Sequence, residues 1–167
     1  KSRVENPNYY ISESIGGTDH FIRENFAGTD IFVAIGGDGT ISNVARNLIN
    51  TDKTLAIFPA GSGNGFSRET HFHKDMDELL LKIRQKNFRK IDTFSVNGRL
   101  SINVSGTGFD GKVAKEFEKT GRGFRNYVKV SVTTFLNYQP IRVRFKNENL
   151  QQYDGRYLML NVANTRQ

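Results

Sequence analysis

The chain has 167 residues, 37 % of them hydrophobic and 25 % charged, with 13 Phe, a composition that supports a buried core and argues against disorder. It contains no Cys, which excludes disulfides, thiolate metal centres and thiol nucleophiles, and no apolar run approaches the ~18 residues needed to cross a bilayer. The net charge of +7 is lopsided: residues 1–90 hold 12 Lys+Arg against 11 Asp+Glu, while residues 91–167 hold 12 against 6. A basic second half favours anionic partners, and a solvated charged face explains it equally well. There is no signal-peptide pattern at the start, and the lack of Cys fits a cytoplasmic setting.

Lys1 to Asn8 is polar and reads as loop. Asn8-Tyr9-Tyr10-Ile11-Ser12 has the aromatic and β-branched content of a strand, and Gly16-Gly17 then breaks the chain before a helix capped by Thr18 or Asp19, with Phe21, Ile22 and Phe26 inward. Ile31 to Ile35 is a short all-apolar run, the pattern of a parallel strand buried on both faces. Thr40 can cap the next helix, Ile41 to Ile49, in which Ile41, Val44, Ala45, Leu48 and Ile49 keep helical spacing. Thr54 to Phe58 is a second buried-type strand, so the order β-α-β-α-β predicts a parallel sheet with right-handed crossovers. Met76 to Gln85 reads as a helix with Met76, Leu79, Leu80 and Ile83 inward.

From Ile91 the texture changes to alternating sequence on either side of Asn97-Gly98, a strong hairpin signal, so the boundary is placed near residue 90. Residues 1–90 form an α/β domain and 91–167 a β-rich one. Gly106, Gly108 and Gly111 lead into a helix over Lys112 to Lys119. In Phe124 to Tyr138, Val128, Val130, Val132, Thr133 and Thr134 favour strand, whereas Phe124, Tyr127, Val128, Val132, Phe135 and Leu136 recur at helical spacing; helix is our assignment. Ile141 to Phe145 and Tyr157 to Ala163 complete the strands.

The chemistry concentrates where the two apolar strands end. The first runs into Gly36-Gly37-Asp38-Gly39-Thr40 and the second into Pro59-Ala60-Gly61-Ser62-Gly63-Asn64. Ligands collect at the carboxyl ends of parallel strands, so both glycine loops face one crevice, and bare backbone there can approach a phosphate. A carboxylate among phosphate-binding amides repels phosphate unless a cation bridges them, which makes Asp38 the natural anchor for Mg²⁺. A tight turn with Asp38 as a solvated cap is the plainer reading of an isolated glycine pair. His71 and His73 lack a third metal ligand at suitable spacing and read as an exposed loop.

These paired motifs resemble the catalytic region of the diacylglycerol kinase and sphingosine kinase superfamily, including its bacterial soluble lipid kinases. The likeness continues through Ile91-Asp92, Asn97-Gly98, Gly106-Thr107-Gly108-Phe109-Asp110 and Val162-Ala163-Asn164. It implies ATP- and Mg²⁺-dependent phosphorylation of a lipid hydroxyl, on a phosphofructokinase- and NAD-kinase-like α/β domain followed by a β-sandwich-like lipid-substrate domain. Carried over, Gly36, Gly37, Asp38, Gly39 and Thr40 would bind nucleotide phosphates, Gly61, Ser62, Gly63 and Asn64 would wrap the nucleotide, and Asp38 would organise Mg²⁺ or take the substrate proton. Asp110 would join the metal network or face substrate, and capping the following helix is the equal alternative.

The departures are specific. Ser42-Asn43 stands where the family usually carries Asn-Glu, and Gly63-Asn64-Gly65-Phe66-Ser67-Arg68 lacks a second acid, closer to the sphingosine kinase form. The family's later Asp-Gly-x-Leu-Asp segment is not reached, which implies an internal fragment of a longer protein, not fully active by itself. A relative phosphorylating a soluble substrate, as NAD kinases do, and a silent nucleotide- or membrane-binding module are the alternatives. Basic residues interleaved with aromatics over Lys112 to Lys129 suit RNA or an anionic membrane; given a lipid kinase, a peripheral membrane contact is the economical use and nucleic acid the weaker one. A homodimer is left open.

Overall fold

The computed structural model describes residues 8–120 and 123–164. Lys1 to Pro7, most of the predicted opening loop, and Arg122 of the basic run lie outside the described residues. The chain divides into two compact units, one running to Asn103 and rejoined by Asn164, the other spanning Val104–Ala163. Residues 91–103 therefore sit with the first unit, beyond the boundary expected near residue 90.

The first unit is built on a parallel pair, β1 (Ile31–Gly36) and β2 (Thr54–Pro59), in register from Ile31↔Thr54 to Gly36↔Pro59. Helix α2 (Asp38–Leu48) is the crossover, and its Ile41, Val44 and Leu48 meet Phe32, Ala34 and Ile57 in one core with Ile22, Phe66 and Ile102. Burial of these side chains supplies the driving force, about 1.5–3 kcal/mol for each large aliphatic or aromatic one. Helix α1 (Ile15–Asn25) lies against α2, tied by Asp19 to Arg46 and to Asn47 Nδ2 at 2.8 Å. Helix α4 (Met76–Arg84) packs on β2 through Leu79.

Three expectations for this unit change. First, β1 is buried on one face only: Phe32 and Ala34 are inside, whereas Val33 and Ile35 are 45 % and 58 % exposed. Apolar content without alternation hid this, because α4 covers β2 and leaves the second face of β1 open. Second, residues 8–12 form no strand, and the described parallel sheet has two members. Tyr10 instead stacks on Phe21 with ring centroids 5.5 Å apart. Third, α1 starts at Ile15 under a Ser14 cap, whose Oγ accepts from Gly17 N–H at 3.0 Å. Gly16 and Gly17 thus lie inside the helix, and Thr18 is a buried helical residue whose Oγ1 donates to Ser14 O.

The Asn97-Gly98 hairpin forms as expected, β3 (Phe94–Val96) pairing antiparallel with β4 (Arg99–Ser101). Both turn residues take positive φ, 50° and 74°, as a type I′ turn requires. Asn164 rejoins this region: its N–H donates to Asn103 O at 2.8 Å and its side-chain amide to Ile102 O at 3.2 Å and to Asp92 O.

The second unit mixes short antiparallel pairs with helices. Strand β5 (Val104–Gly108) pairs with β8 (Met159–Ala163), and β6 (Ile141–Val143) with β7 (Gly155–Tyr157). Helices α5 (Phe109–Phe117) and α6 (Phe124–Leu136) pack through edge-on ring contacts, Phe109 on Phe135 and Phe117 on Tyr127. The 124–138 ambiguity resolves as helix: Thr134 is buried, and Thr133 Oγ1 bonds back to Lys129 O at 2.9 Å, a local bond that a helix offers a β-branched hydroxyl. Among the described residues no helix is long and apolar enough to cross a membrane.

Candidate phosphate-binding site

Because β1 and β2 run parallel and in register, their carboxyl ends lie side by side, and Ala60 N–H extends the pairing to Gly36 O at 2.9 Å. The two glycine loops then meet backbone on backbone. A Cβ added to Gly61 would lie 2.5 Å from Gly37 Cα, and one added to Gly37 would lie 3.2 Å from Gly61 Cα. A Cβ at position 61 has no room and one at position 37 is tight, so the close approach requires glycine at 61 and favours it at 37. The structure thus brings together Gly36, Gly37, Asp38, Gly39, Thr40, Gly61, Ser62, Gly63 and Asn64.

Their local roles differ from the sequence expectation in two places. Gly37, not Thr40, is the N-cap of α2, and it offers no side-chain cap; Thr40 is a helical residue folded against Gly36. The first-turn amides of α2 therefore have neither an intrahelical acceptor nor a cap, the usual condition for receiving an anion. Nothing lies within 4 Å of the position a Cβ would take on Gly39, so space is open beside those amides. Asn64, at φ 52° and 9 % exposed, spends its side chain inside its own loop: Oδ1 accepts from Gly61 N–H at 2.9 Å and Nδ2 donates to Gly61 O at 2.6 Å. It fixes the shape of the second loop, while Ser62 and Gly63 stand exposed at its crest.

Asp38 does something the sequence did not announce. Its Oδ2 accepts from Gly65 N–H at 3.0 Å and its Oδ1 from Phe66 N–H at 2.9 Å. The carboxylate thereby caps the short helix α3 (Gly65–Glu69), whose own N-cap residue Asn64 makes no side-chain cap bond. An acid that would repel phosphate is instead satisfied by two amides of the neighbouring loop, and it ties the loops together.

Among the described residues no cluster of three His, Asp or Glu could hold a metal. Mg²⁺ bound with a nucleotide needs only one or two carboxylates beside phosphate oxygens and water, and each oxygen of Asp38 keeps a lone pair after its amide bond. Asp38 fits such an ion as its single protein carboxylate in this unit.

Asp110 belongs to the second unit. It lies in the first turn of α5, exposed, with Oδ1 accepting from Gly111 N–H at 2.8 Å. With the Asn161 amide turned so that its nitrogen faces the acid, that nitrogen lies 3.2 Å from Asp110 Oδ2 and 3.1 Å from Leu160 O. His73 contacts Glu78 Oε2 at 3.1 Å and His71 is exposed, in keeping with the loop reading. Lys82, then His73, hold the Glu78 carboxyl below its usual range. In the basic run, Lys119 pairs with Glu116 at 2.8 Å and Lys112 lies over the Tyr138 ring.

The diacylglycerol kinase catalytic domain profile matches residues 5–96. A probable lipid kinase, YegS-like, from Pseudomonas aeruginosa is 34 % identical over 140 residues, 81 % of this chain and 46 % of that one. The probable lipid kinase YegS of Escherichia fergusonii is 30 % identical over 143 residues, with 81 % and 48 % covered. A solved chain from Bacillus anthracis superposes with a TM-score of 0.70 at 23 % identity, covering 93 % of this chain and 54 % of that one. The chain spans about half the length of the curated relatives it matches.

Proposed function

The chain belongs to the diacylglycerol kinase catalytic-domain family, and from that premise we propose that it carries the nucleotide-binding part of a kinase that transfers the γ-phosphoryl group of ATP to a lipid hydroxyl, of diacylglycerol or a sphingosine-like base. The observation that carries this reading is the contact of the two glycine loops at Gly37 and Gly61, beside uncapped amides at the start of α2. In it, the first unit is the phosphofructokinase- and NAD-kinase-like half, and the strand pairs of the second begin a β-sandwich-like lipid domain.

Phosphoryl transfer asks a protein mainly for positioning and charge neutralisation. Here the α2 amides and the Ser62-Gly63 crest hold phosphate oxygens, and Asn64 keeps the crest in shape. Asp38 holds the two loops at a fixed separation and would hold Mg²⁺, which supplies charge neutralisation when bound. Asp110, within the second unit, is the acid this scheme assigns to face the lipid substrate. The exposed apolar residues of α6, with Phe124 80 % and Leu136 77 % exposed beside Arg125 and Lys129, suit a peripheral contact with an anionic membrane that presents the lipid.

The test is ATP-dependent phosphorylation by the intact protein, with diacylglycerol, a sphingosine-like base and NAD offered separately. Transfer to either lipid supports the proposal. Transfer to NAD alone would support the soluble-substrate alternative, and ATP binding without transfer would support a silent module.

A further inference from the structure

The hairpin formed by β6 and β7 carries an arrangement that folding alone does not favour. Arg142 and Arg156 are directly opposite each other across the antiparallel pair, so their side chains leave the same face at neighbouring positions. Like charges placed so are destabilising. Arg144 follows two residues after Arg142 and lines the same groove, which has a volume of about 490 Å³. All three arginines are exposed, and no described acid pairs with any of them. The one carboxylate lining the groove, Asp154, accepts Phe145 N–H at 2.8 Å and so anchors the end of the hairpin. Three guanidiniums less this carboxylate leave the groove with a net charge of two positive units.

We propose that the Arg142, Arg144 and Arg156 face of this hairpin is a binding site for a phosphomonoester group. Three features select that class. A phosphomonoester carries about −1.5 to −2 charges at neutral pH, which matches the surplus in the groove. Guanidinium forks donate two parallel hydrogen bonds to phosphate, a geometry that ammonium cannot reproduce, and the groove holds arginine at all three positions. An anion seated between Arg142 and Arg156 relieves the repulsion of that facing pair. The site lies wholly within the second unit and does not depend on the nucleotide-site reading. The phosphate could arrive on a soluble molecule or on the headgroup of a membrane lipid, and the test separates the two.

The full chain is titrated with glycerol 3-phosphate by calorimetry, and floated with phosphatidylcholine vesicles with and without phosphatidic acid. The double variant Arg142→Gln/Arg156→Gln is compared with Arg84→Gln/Arg89→Gln, which removes the same charge from the first unit. Loss of one charge-assisted bond to phosphate predicts at least about a ten-fold weaker affinity for the hairpin variant, with the control close to wild type. Glycerol 3-phosphate binding lost only in the hairpin variant supports the site with a soluble source. Phosphatidate-dependent flotation lost only in that variant supports it with a lipid source. Failure of both probes to bind, or equal losses in the two variants, overturns the proposal. The hairpin variant should also melt at or above the wild-type temperature, since a repulsive pair has been removed; a clear drop would mean that the arginines hold the hairpin, and would overturn it as well.

Discussion

Asp38→Ala separates a loop tie from a solvated acid. The substitution leaves the N–H groups of Gly65 and Phe66 without the acceptors they have at 3.0 and 2.9 Å, and α3 has no other side-chain cap to replace them. Losing an acidic cap costs about 0.5–2 kcal/mol, and two charge-assisted bonds on one carboxylate place this case in the upper half, about 1–2 kcal/mol. In a unit of roughly 60–100 residues each kcal/mol lowers Tm by about 4–8 °C, so a fall of at least ~4 °C is expected. Asp38→Asn keeps one acceptor oxygen and should recover about half of the loss. Thermal unfolding followed by circular dichroism reads both variants. If Asp38→Ala melts within about 1 °C of wild type, far less than one lost cap produces, the carboxylate is not a tie and the reasoning fails.

Further expectations follow from the same geometry. Gly61→Ala drives a Cβ into Gly37, 2.5 Å from its Cα, so it should cost about 1–3 kcal/mol as overpacking does and weaken ATP binding at the same time, read by melting and by ATP titration. Asn64→Ala removes both bonds across the second loop and should weaken ATP binding more than it lowers Tm. The Asp19 carboxyl is held below its usual range by the Asn47 hydrogen bond first and by Arg46 as well. A depressed folded value means that the α1–α2 tie stabilises above the ordinary carboxylate range, near pH 4, and is lost as pH falls through the lower folded value. Asp19→Asn should therefore flatten the acid limb of a Tm-against-pH series; an unchanged limb would dismiss the tie.

Much of the site was legible in the sequence because its signals are local. An apolar run ending in glycines marks a strand and the loop after it, and two such runs separated by a helical pattern fix both loops at one end of a parallel pair. Asn97-Gly98 likewise sets its own turn. What escaped depends on partners distant in sequence. Asp38 bonds to amides 27 and 28 residues away, and a carboxylate among glycines gives no hint of which donors will reach it. The open face of β1 escaped because Val33 and Ile35 are as apolar as Phe32 and Ala34, and only the packing of α2 against Phe32 and Ala34 decides which side is covered. The strand expected at residues 8–12 failed because aromatic content suits a ring stack as well as a sheet, and Phe21 supplied the stack. The alternation Ile141-Arg142-Val143-Arg144-Phe145 announced a strand, but the facing of Arg142 and Arg156 needs the register of β6 on β7.

ATP titration of Gly39→Ala reads whether the first-turn amides of α2 hold nucleotide phosphate. Alanine in the first turn of α2 meets no atom within 4 Å, and in a helix it is favoured over glycine by up to about 1 kcal/mol, so the fold should be as stable as wild type or more so. If the open space beside the α2 amides is where nucleotide phosphate sits, the added methyl group occupies it, and ATP affinity should fall at least about ten-fold, a loss of ~1.4 kcal/mol, without loss of Tm. Undiminished ATP affinity in a fully folded Gly39→Ala protein would mean that the glycine loops are only a turn, and would contradict the account.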